Sequence, residues 1–179
     1  MESCEACGFV YEEVVAGEIP ERMASFGPRY RNRLVSSTDP SVACAGLRNR
    51  VDIDVWTALE YACHVRDVFE VQHQRLDLAL AEDCPTIVPM GREERVVTGR
   101  YNQQDPLEVA VAINEQAEAI GEAFARLSPA QWERTAIYNW PASAERTMVW
   151  LARHTVHEGE HHLGDMDHLL GRPDAGPSG

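Results

Sequence analysis

From about Val55 to Ala81 the chain runs without a glycine or a proline, and at about 1.5 Å per residue such a helix would be roughly 40 Å long. That is a bundle-length element, and it limits the folds that can bury it. A first helix is predicted from Ile19 to Leu34, with Pro20 in its first turn, where a missing N–H costs little, and Pro28 as a kink. Asp52 or Asp54 is placed to cap the long second helix. The third, Leu107 to Leu127, sets Val109, Ile113, Ile120, Phe124 and Leu127 on one face. Ser128 and Pro129 read as cap and first position of a short helix carrying Trp132, Pro141 breaks the chain, and Ser143 caps a final helix reaching Leu170. With no convincing strand alternation, the expected fold is all-α: a four-helix bundle with a long crossover between helices 2 and 3. The crossover, residues 83–106, is broken by Pro85, Pro89, Gly91, Gly99 and Pro106, and connections of that length are often functional. The chain divides into an N-terminal segment at 1–18, the bundle at 19–171 and a flexible tail at 172–179.

A chain of 179 residues suits one domain with a proper core. Hydrophobic residues make up 44% and charged ones 25%, the ordinary globular range, and no apolar run approaches the roughly 20 residues that span a bilayer. The N-terminus MESCEACGFVYEE puts acids where a signal peptide carries a basic region. The expectation is a cytoplasmic protein without a membrane partner. A formal net charge of -13 and scattered arginines argue against nucleic acid as a partner. All 16 basic residues are arginine, which excludes Schiff-base lysines, a pyridoxal-phosphate lysine and a P-loop lysine. The same usage suits GC-rich, actinobacterial-type coding.

The run HTVHEGEHHLGDMDH, residues 154–168, holds five of the seven histidines. Neutral imidazole is the commonest protein metal ligand and the side chain that titrates nearest neutrality. On a helix His157 and His161 share a face and can converge on one ion, whereas the neighbours His161 and His162 cannot. Trp150, His154, His157, His161, Gly164 and His168 form one stripe, with Val149, Val156, Leu163, Met166 and Leu170 largely opposite. A polar face opposite an apolar arc is usually solvated, yet this stripe contains a tryptophan and a glycine, while solvated faces elsewhere in the chain are written with Glu, Asp and Arg. His64 offers a third donor, on a helix face shared with Tyr61, Val68 and Val71. Alone, such a histidine is more simply a buried residue bonded to a carbonyl. Joined to the later pair it gives a three-nitrogen site with an open position, the arrangement of catalytic rather than structural zinc. HEGEH also matches the zincin letters HExxH, with Glu158 as base, but lacks a third downstream ligand in frame and a strand to align peptide.

The histidine within ACHVRD, the run RTMVWLARHTVHEGEHHLGDMDHLL and the preceding LSPAQWER with Trp132 together resemble the DinB superfamily. The nearest part is its actinobacterial branch, related to mycothiol-dependent maleylpyruvate isomerase and the bacterial thiol S-transferases. The resemblance covers about Ile19 to Leu170 and is sharpest in the last helix. It implies a four-helix bundle holding a divalent metal, zinc first and nickel or iron as alternatives, on one residue of the second helix and two of the fourth. Carried over by motif, these are His64, His157 and His161. In the isomerase-like branch the first member of the last-helix pair is a glutamate, a place this carry-over gives to His157. The implied activity is that of a metal-dependent enzyme: a low-molecular-weight thiol, mycothiol-like, is the cosubstrate, and its thiolate attacks a small electrophile in S-transfer or thiol-dependent isomerisation. Glu158, Glu160, Asp165 and His154 lie near in sequence as acid or base, with none assigned. Tyr101, Asn102 and Gln104 of GRYNQQDP are candidate substrate contacts where the crossover closes over the bundle mouth, although each is more simply a polar loop or helix-entry residue.

The N-terminal CEACGF resembles half of a zinc knuckle whose second C-x-x-C is missing. Cys4 and Cys7 are thus a second metal site completed by other residues, a redox pair, or reduced thiols. Cys63, about 100° around the helix from His64, reads as a small core residue. With Cys44 and Cys84 the cysteines are odd in number, which argues against a disulfide framework. Two rival functions stay open: a thiol-independent hydrolase, isomerase or cyclase on the same bundle, and a metal-binding stress protein without turnover. A small-molecule substrate is expected, and a homodimer is compatible with the bundle type.

Overall fold

Thr57 decides where the longest helix begins. Its hydroxyl accepts from the Glu60 backbone N–H at 3.2 Å while the Glu60 carboxylate accepts from the Thr57 N–H at 2.8 Å, a capping box that satisfies two otherwise orphaned donors. The computed structural model describes residues 2–35, 45–139 and 142–172. In chain order these form α1 (Ile19–Leu34), α2 (Ala58–Ala81), α3 (Arg92–Thr98), α4 (Pro106–Ala125), α5 (Pro129–Trp132), β1 (Thr135–Tyr138), β2 (Ala144–Thr147) and α6 (Met148–Leu169). The four long helices make the bundle. α1 packs chiefly on α4, α2 lies against both α4 and α6, and α6 closes back on α1, so α1 and α2, successive in the chain, stand at opposite corners.

Several expectations are corrected. The second helix is capped by Thr57 rather than by Asp52 or Asp54, and begins at Ala58 rather than Val55. The last helix is capped by Thr147, not Ser143, because residues 144–147 belong to a strand. β1 and β2 pair antiparallel, with Thr135 opposite Thr147 and Tyr138 opposite Ala144; strands of this length are too short to show an alternation. The crossover is more ordered than its glycines and prolines suggest. It carries α3 and a 3-10 turn at Tyr101–Gln103, and its start is stitched to β1 where the Ile87 N–H donates to the Ile137 carbonyl and the Ile137 N–H donates to the Pro85 carbonyl, both at 2.8 Å. α1 runs through Pro28, and Ser128 and Pro129 open the short α5 as expected. The Ser/Pro-containing stretch with Cys44, the break at Pro141 and the tail beyond Arg172 lie outside the described residues.

The core is set by helical periodicity: Ile19, Met23, Phe26, Tyr30 and Leu34 of α1 are buried against Ile113, Ala117, Ile120 and Phe124 of α4. The N-terminal residues lie along α6. The Glu2 carboxylate meets Arg146 at 3.0 Å and accepts from Trp150 Nε1 at 3.1 Å, and Arg153 donates to the Val14 carbonyl at 2.9 Å. Among the described residues no helix is long and apolar enough to cross a membrane.

The contact of α1 with α6 turns on Gly159. A β-carbon there would sit 2.5 Å from Cζ of Phe26, a fully buried ring wedged against Phe69 and Tyr30. Helix propensity alone favours alanine at such a position by roughly 0.5–1 kcal/mol. The clash reverses that sign, so Gly159→Ala is expected to lower unfolding free energy by about 1–3 kcal/mol, read from urea midpoints; an alanine variant more stable than wild type would show that the two helices can move apart freely.

Candidate metal centre

His154, His157, Glu158, His161, His162 and Asp165 follow the i, i+3, i+4 spacing that gathers side chains on one side of a helix. α6 thus carries a broad polar band, and α2 presents His64 to it. His64 Nε2 lies 3.9 Å, and His162 Nε2 3.7 Å, from Oε2 of Glu158, and the donor atoms of these three residues all fall within 4.8 Å of one another. Such separations are too long for hydrogen bonds. They approach the roughly 3.4 Å that separates tetrahedral ligands lying about 2.1 Å from a shared ion. The Asp165 carboxylate, 2.7 Å from His162 Nδ1, can only accept when ionised, so Nδ1 carries a proton and Nε2 is the nitrogen turned toward Glu158, where a bound metal would take the place of its proton.

Glu158 is only about one-fifth exposed, at 20% of its side chain, and its ionic neighbours are imidazoles: His64, His154, His157 and His162. Burial by itself would raise its pKa, but His157, His162 and His64 hold its carboxyl well below the usual range. Burial opposes the charge on His162, yet Asp165 and Glu158 outweigh it and raise its pKa to about 9. His64, on the α2 side, is pushed down by burial, and its Nδ1 finds no partner among the described residues. Two nitrogens and a carboxylate, one of them with its tautomer fixed by an outer carboxylate, fit a divalent metal and leave a coordination position open. Trp56, 5.1 Å from His64 between ring centres, and Tyr61, stacked on His162 at 5.2 Å, wall the centre, and the Arg92 guanidinium lies over Trp56 at 5.9 Å.

A second set of donors sits one residue back on the same helix. His157 and His161 converge with Cys4 and Cys7, again with donor atoms within 4.8 Å. Tyr11, from the 3-10 turn Tyr11–Glu13, places its hydroxyl 3.0 Å from Nδ1 of His154 and 3.2 Å from Nδ1 of His157. Burial drives His154 down to about 4, so it is neutral at pH 7. The buried Nε2 of His157 has no partner among the described residues.

The structure therefore divides the predicted trio. His64 meets Glu158 and His162, while His157 and His161 meet Cys4 and Cys7. His162, passed over in the sequence as the neighbour of His161, and Glu158, weighed there as one of several unassigned acids or bases, are the residues that face His64. Of the other named acids, Glu160 pairs with Arg29 at 2.6 Å and Asp165 orients His162. Tyr101, Asn102 and Gln104 fasten the crossover to α2. The Tyr101 hydroxyl donates to Asp67 at 2.5 Å, Asn102 accepts from the Thr57 hydroxyl at 2.9 Å, and Gln104 accepts from Arg66 at 2.5 Å. Cys63 is buried as expected, and burial pushes its thiol up to about 12.

Comparison with known proteins follows this geometry. A model of the DinB superfamily matches residues 31–166. Among solved structures, the chain is similar to YfiT from Bacillus subtilis, described as a probable metal-dependent hydrolase with an unusual four-helix bundle topology, at 15% identity and a TM-score of 0.76, covering 97% of this chain and 95% of that one. It is also similar to the mycothiol-dependent maleylpyruvate isomerase, at 14% identity and a TM-score of 0.65, covering 90% of this chain and 68% of that one. No curated protein matches the chain in sequence.

The latch between crossover and α2 generates a pH prediction. Burial works against the charge on Asp67, but the Tyr101 hydroxyl together with Arg66 and Arg95 holds its carboxyl below the ordinary 3.8. A folded pKa below the unfolded one means that the latch stabilises fully above that value and loses its effect as pH falls below it. Asp67→Asn is expected to cost about 2 kcal/mol near neutrality, and its deficit against wild type should shrink below pH 3.8. Denaturant melts of both proteins across that range check it; a deficit independent of pH would show that the carboxylate charge is irrelevant.

Proposed function

Since the chain belongs to the DinB superfamily, we propose that it is a metal-dependent enzyme holding its metal on His64, Glu158 and His162, and that it joins a low-molecular-weight thiol to a small electrophile or uses that thiol to isomerise one. The observation that carries the reading is the convergence of one donor from α2 and two from α6, with imidazoles as the ion-pair partners of the Glu158 carboxylate among the described residues. The names of the two similar structures, one a probable metal-dependent hydrolase and the other a mycothiol-dependent isomerase, support metal-dependent chemistry on small molecules. The thiol reading draws on a particular residue. The place that the resemblance gives to a glutamate in the isomerase-like branch falls to Glu158 once the pair is taken one residue on, as Glu158 and His162.

Bound here, the metal would act as a Lewis acid that lowers the pKa of a thiol or water at its open position. The chain's own groups prepare that position. Asp165 fixes the His162 tautomer, and His64, driven down by burial, stays neutral and keeps its lone pair. Trp56 and Tyr61 present flat apolar surfaces that exclude water and suit a planar substrate, and Arg92 adds positive charge to the rim beside Trp56.

Elemental analysis combined with thiol-consumption assays on a panel of small electrophiles tests this. His64→Ala, Glu158→Gln and His162→Ala should each remove metal from this centre and slow thiol consumption by more than about 100-fold, beyond the 10–100-fold loss typical of outer-shell changes. Turnover that is the same with and without thiol would replace the thiol reading by hydrolysis or unassisted isomerisation. Metal content unchanged in all three folded variants would remove the centre altogether.

A further inference from the structure

Independently of the centre just described, we propose that Cys4, Cys7, His157 and His161 form a second metal site, a closed structural one that clips the N-terminal segment onto α6 and takes zinc or a zinc-like divalent cation. Nothing in the first reading requires it, since neither cysteine contributes there.

The N-terminal segment forms a turn that carries two thiols. Cys4 accepts from the Gly8 N–H and donates its own N–H to the Phe9 carbonyl, both at 2.9 Å, and Ser3 bridges to Val10. Gly8 sits at φ +74°, a conformation that L side chains rarely adopt, and it lets the chain reverse directly after Cys7. Opposite it, α6 presents the i, i+4 pair His157 and His161, whose rings lie one turn apart on the face that meets this turn. Together they give C-x-x-C and H-x-x-x-H, the ligand types and spacings of closed four-coordinate zinc.

The unpartnered nitrogen is the second, separate observation. His157 is 8% exposed, its Nδ1 is held by the Tyr11 hydroxyl at 3.2 Å, and its Nε2 is buried with no hydrogen-bond partner among the described residues. A buried imidazole nitrogen left bare forfeits its hydration without a replacement, and a cation held jointly with the two thiolates and His161 would satisfy it. Cys4 Sγ stands 3.8 Å from His161 Nδ1, a distance at which a thiol gains little from a hydrogen bond but which suits two ligands of one ion. Binding needs no oxidant: each thiol loses its proton to solvent and the two thiolate charges neutralise the dication. With four protein donors there is no vacant position, so this site holds structure. What it holds is the inner face of the segment, where Phe9 packs on His157 at 5.2 Å and Tyr11 touches His154 and His157 beside Glu158.

The test uses the full chain purified under a non-thiol reductant and loaded with cobalt(II), whose thiolate charge-transfer band reports sulfur ligation directly. Wild type should show that band and carry one metal more than the Cys4→Ser, Cys7→Ser double variant, which should lose the band and keep its fold by circular dichroism. His161→Ala should lose the band as well. His64→Ala should retain it, so that failure of the first centre and failure of this one give different patterns. A wild-type protein without the band, a metal content indifferent to both cysteines, or a Cys4–Cys7 disulfide that persists under the reductant would each overturn the proposal.

Discussion

A carboxylate turned into a helix bundle must either lose its charge or be surrounded by groups that favour it. Glu158 takes the second course, with imidazoles from both α2 and α6 as its close ionic neighbours, and much of the architecture serves to hold it there. The next two residues show how. Gly159 lets the ring of Phe26 press against the helix backbone, and its carbonyl accepts from the Tyr30 hydroxyl at 2.9 Å. Glu160 then forms a two-pronged pair with Arg29. Three successive residues therefore address the candidate metal centre, the apolar core and a charged partner on α1. Their order along the chain fixes the rotation of α6 about its own axis.

The α2 side is held as firmly by different means. The capping box at Thr57 sets the first turn, Arg50 grips the same Glu60 carboxylate at 2.6 Å, and Asn102 reaches the Thr57 hydroxyl from the crossover. One and two turns further on, Asp67 collects Tyr101, Arg66 and Arg95. Tyr61 and His64 lie between these anchors and Trp56 directly precedes the first, so the wall of the centre is borne on, or joined directly to, a stretch of helix fastened at both ends. Polar residues of the crossover that looked like substrate contacts are spent on this fastening.

The bundle was legible because its helices are long and strongly periodic: α1 was predicted at its observed bounds, and α4 and α6 were recognised by their apolar stripes. Capping was less so, since Asp52, Asp54 and Thr57 all precede the second helix and only the reciprocal bond with Glu60 distinguishes Thr57. The hairpin of β1 and β2 escaped because four-residue strands carry almost no period. At the centre the i, i+4 rule was sound but its frame was ambiguous: His157 with His161 and Glu158 with His162 obey it equally, and the first pair has the more familiar letters. The apolar arc could have decided. Met148, Leu151, Thr155 and Met166 are buried toward the bundle, and Glu158 and His162 border that arc, whereas His157 and His161 lie roughly opposite it on a wheel of about 100° per residue. A residue opposite the core cannot meet His64. What covers it instead is the N-terminal turn, more than a hundred residues away in sequence, and no helical period reports such a contact.

That same rotation explains why one helix can be polar over so wide an arc without being solvated. On the α2 side the band is closed by His64, Trp56 and Tyr61, and on the outer side by Cys4, Cys7, Phe9 and Tyr11. His157 belongs to both neighbourhoods. Its Nδ1 lies 3.3 Å from Glu158 Oε1 and 3.2 Å from the Tyr11 hydroxyl, while its Nε2 faces neither. A charge drawn to Nε2 would make the opposite ring nitrogen a better hydrogen-bond donor, and Glu158 is the nearest carboxylate to receive it. The donor set with sulfur is complete in itself, and the one with the carboxylate is open on one side. The N-terminal segment thus closes the outer side of the band whose inner side meets α2, and through Tyr11 and His157 the first residues of the chain and the centre of its last helix are parts of one arrangement.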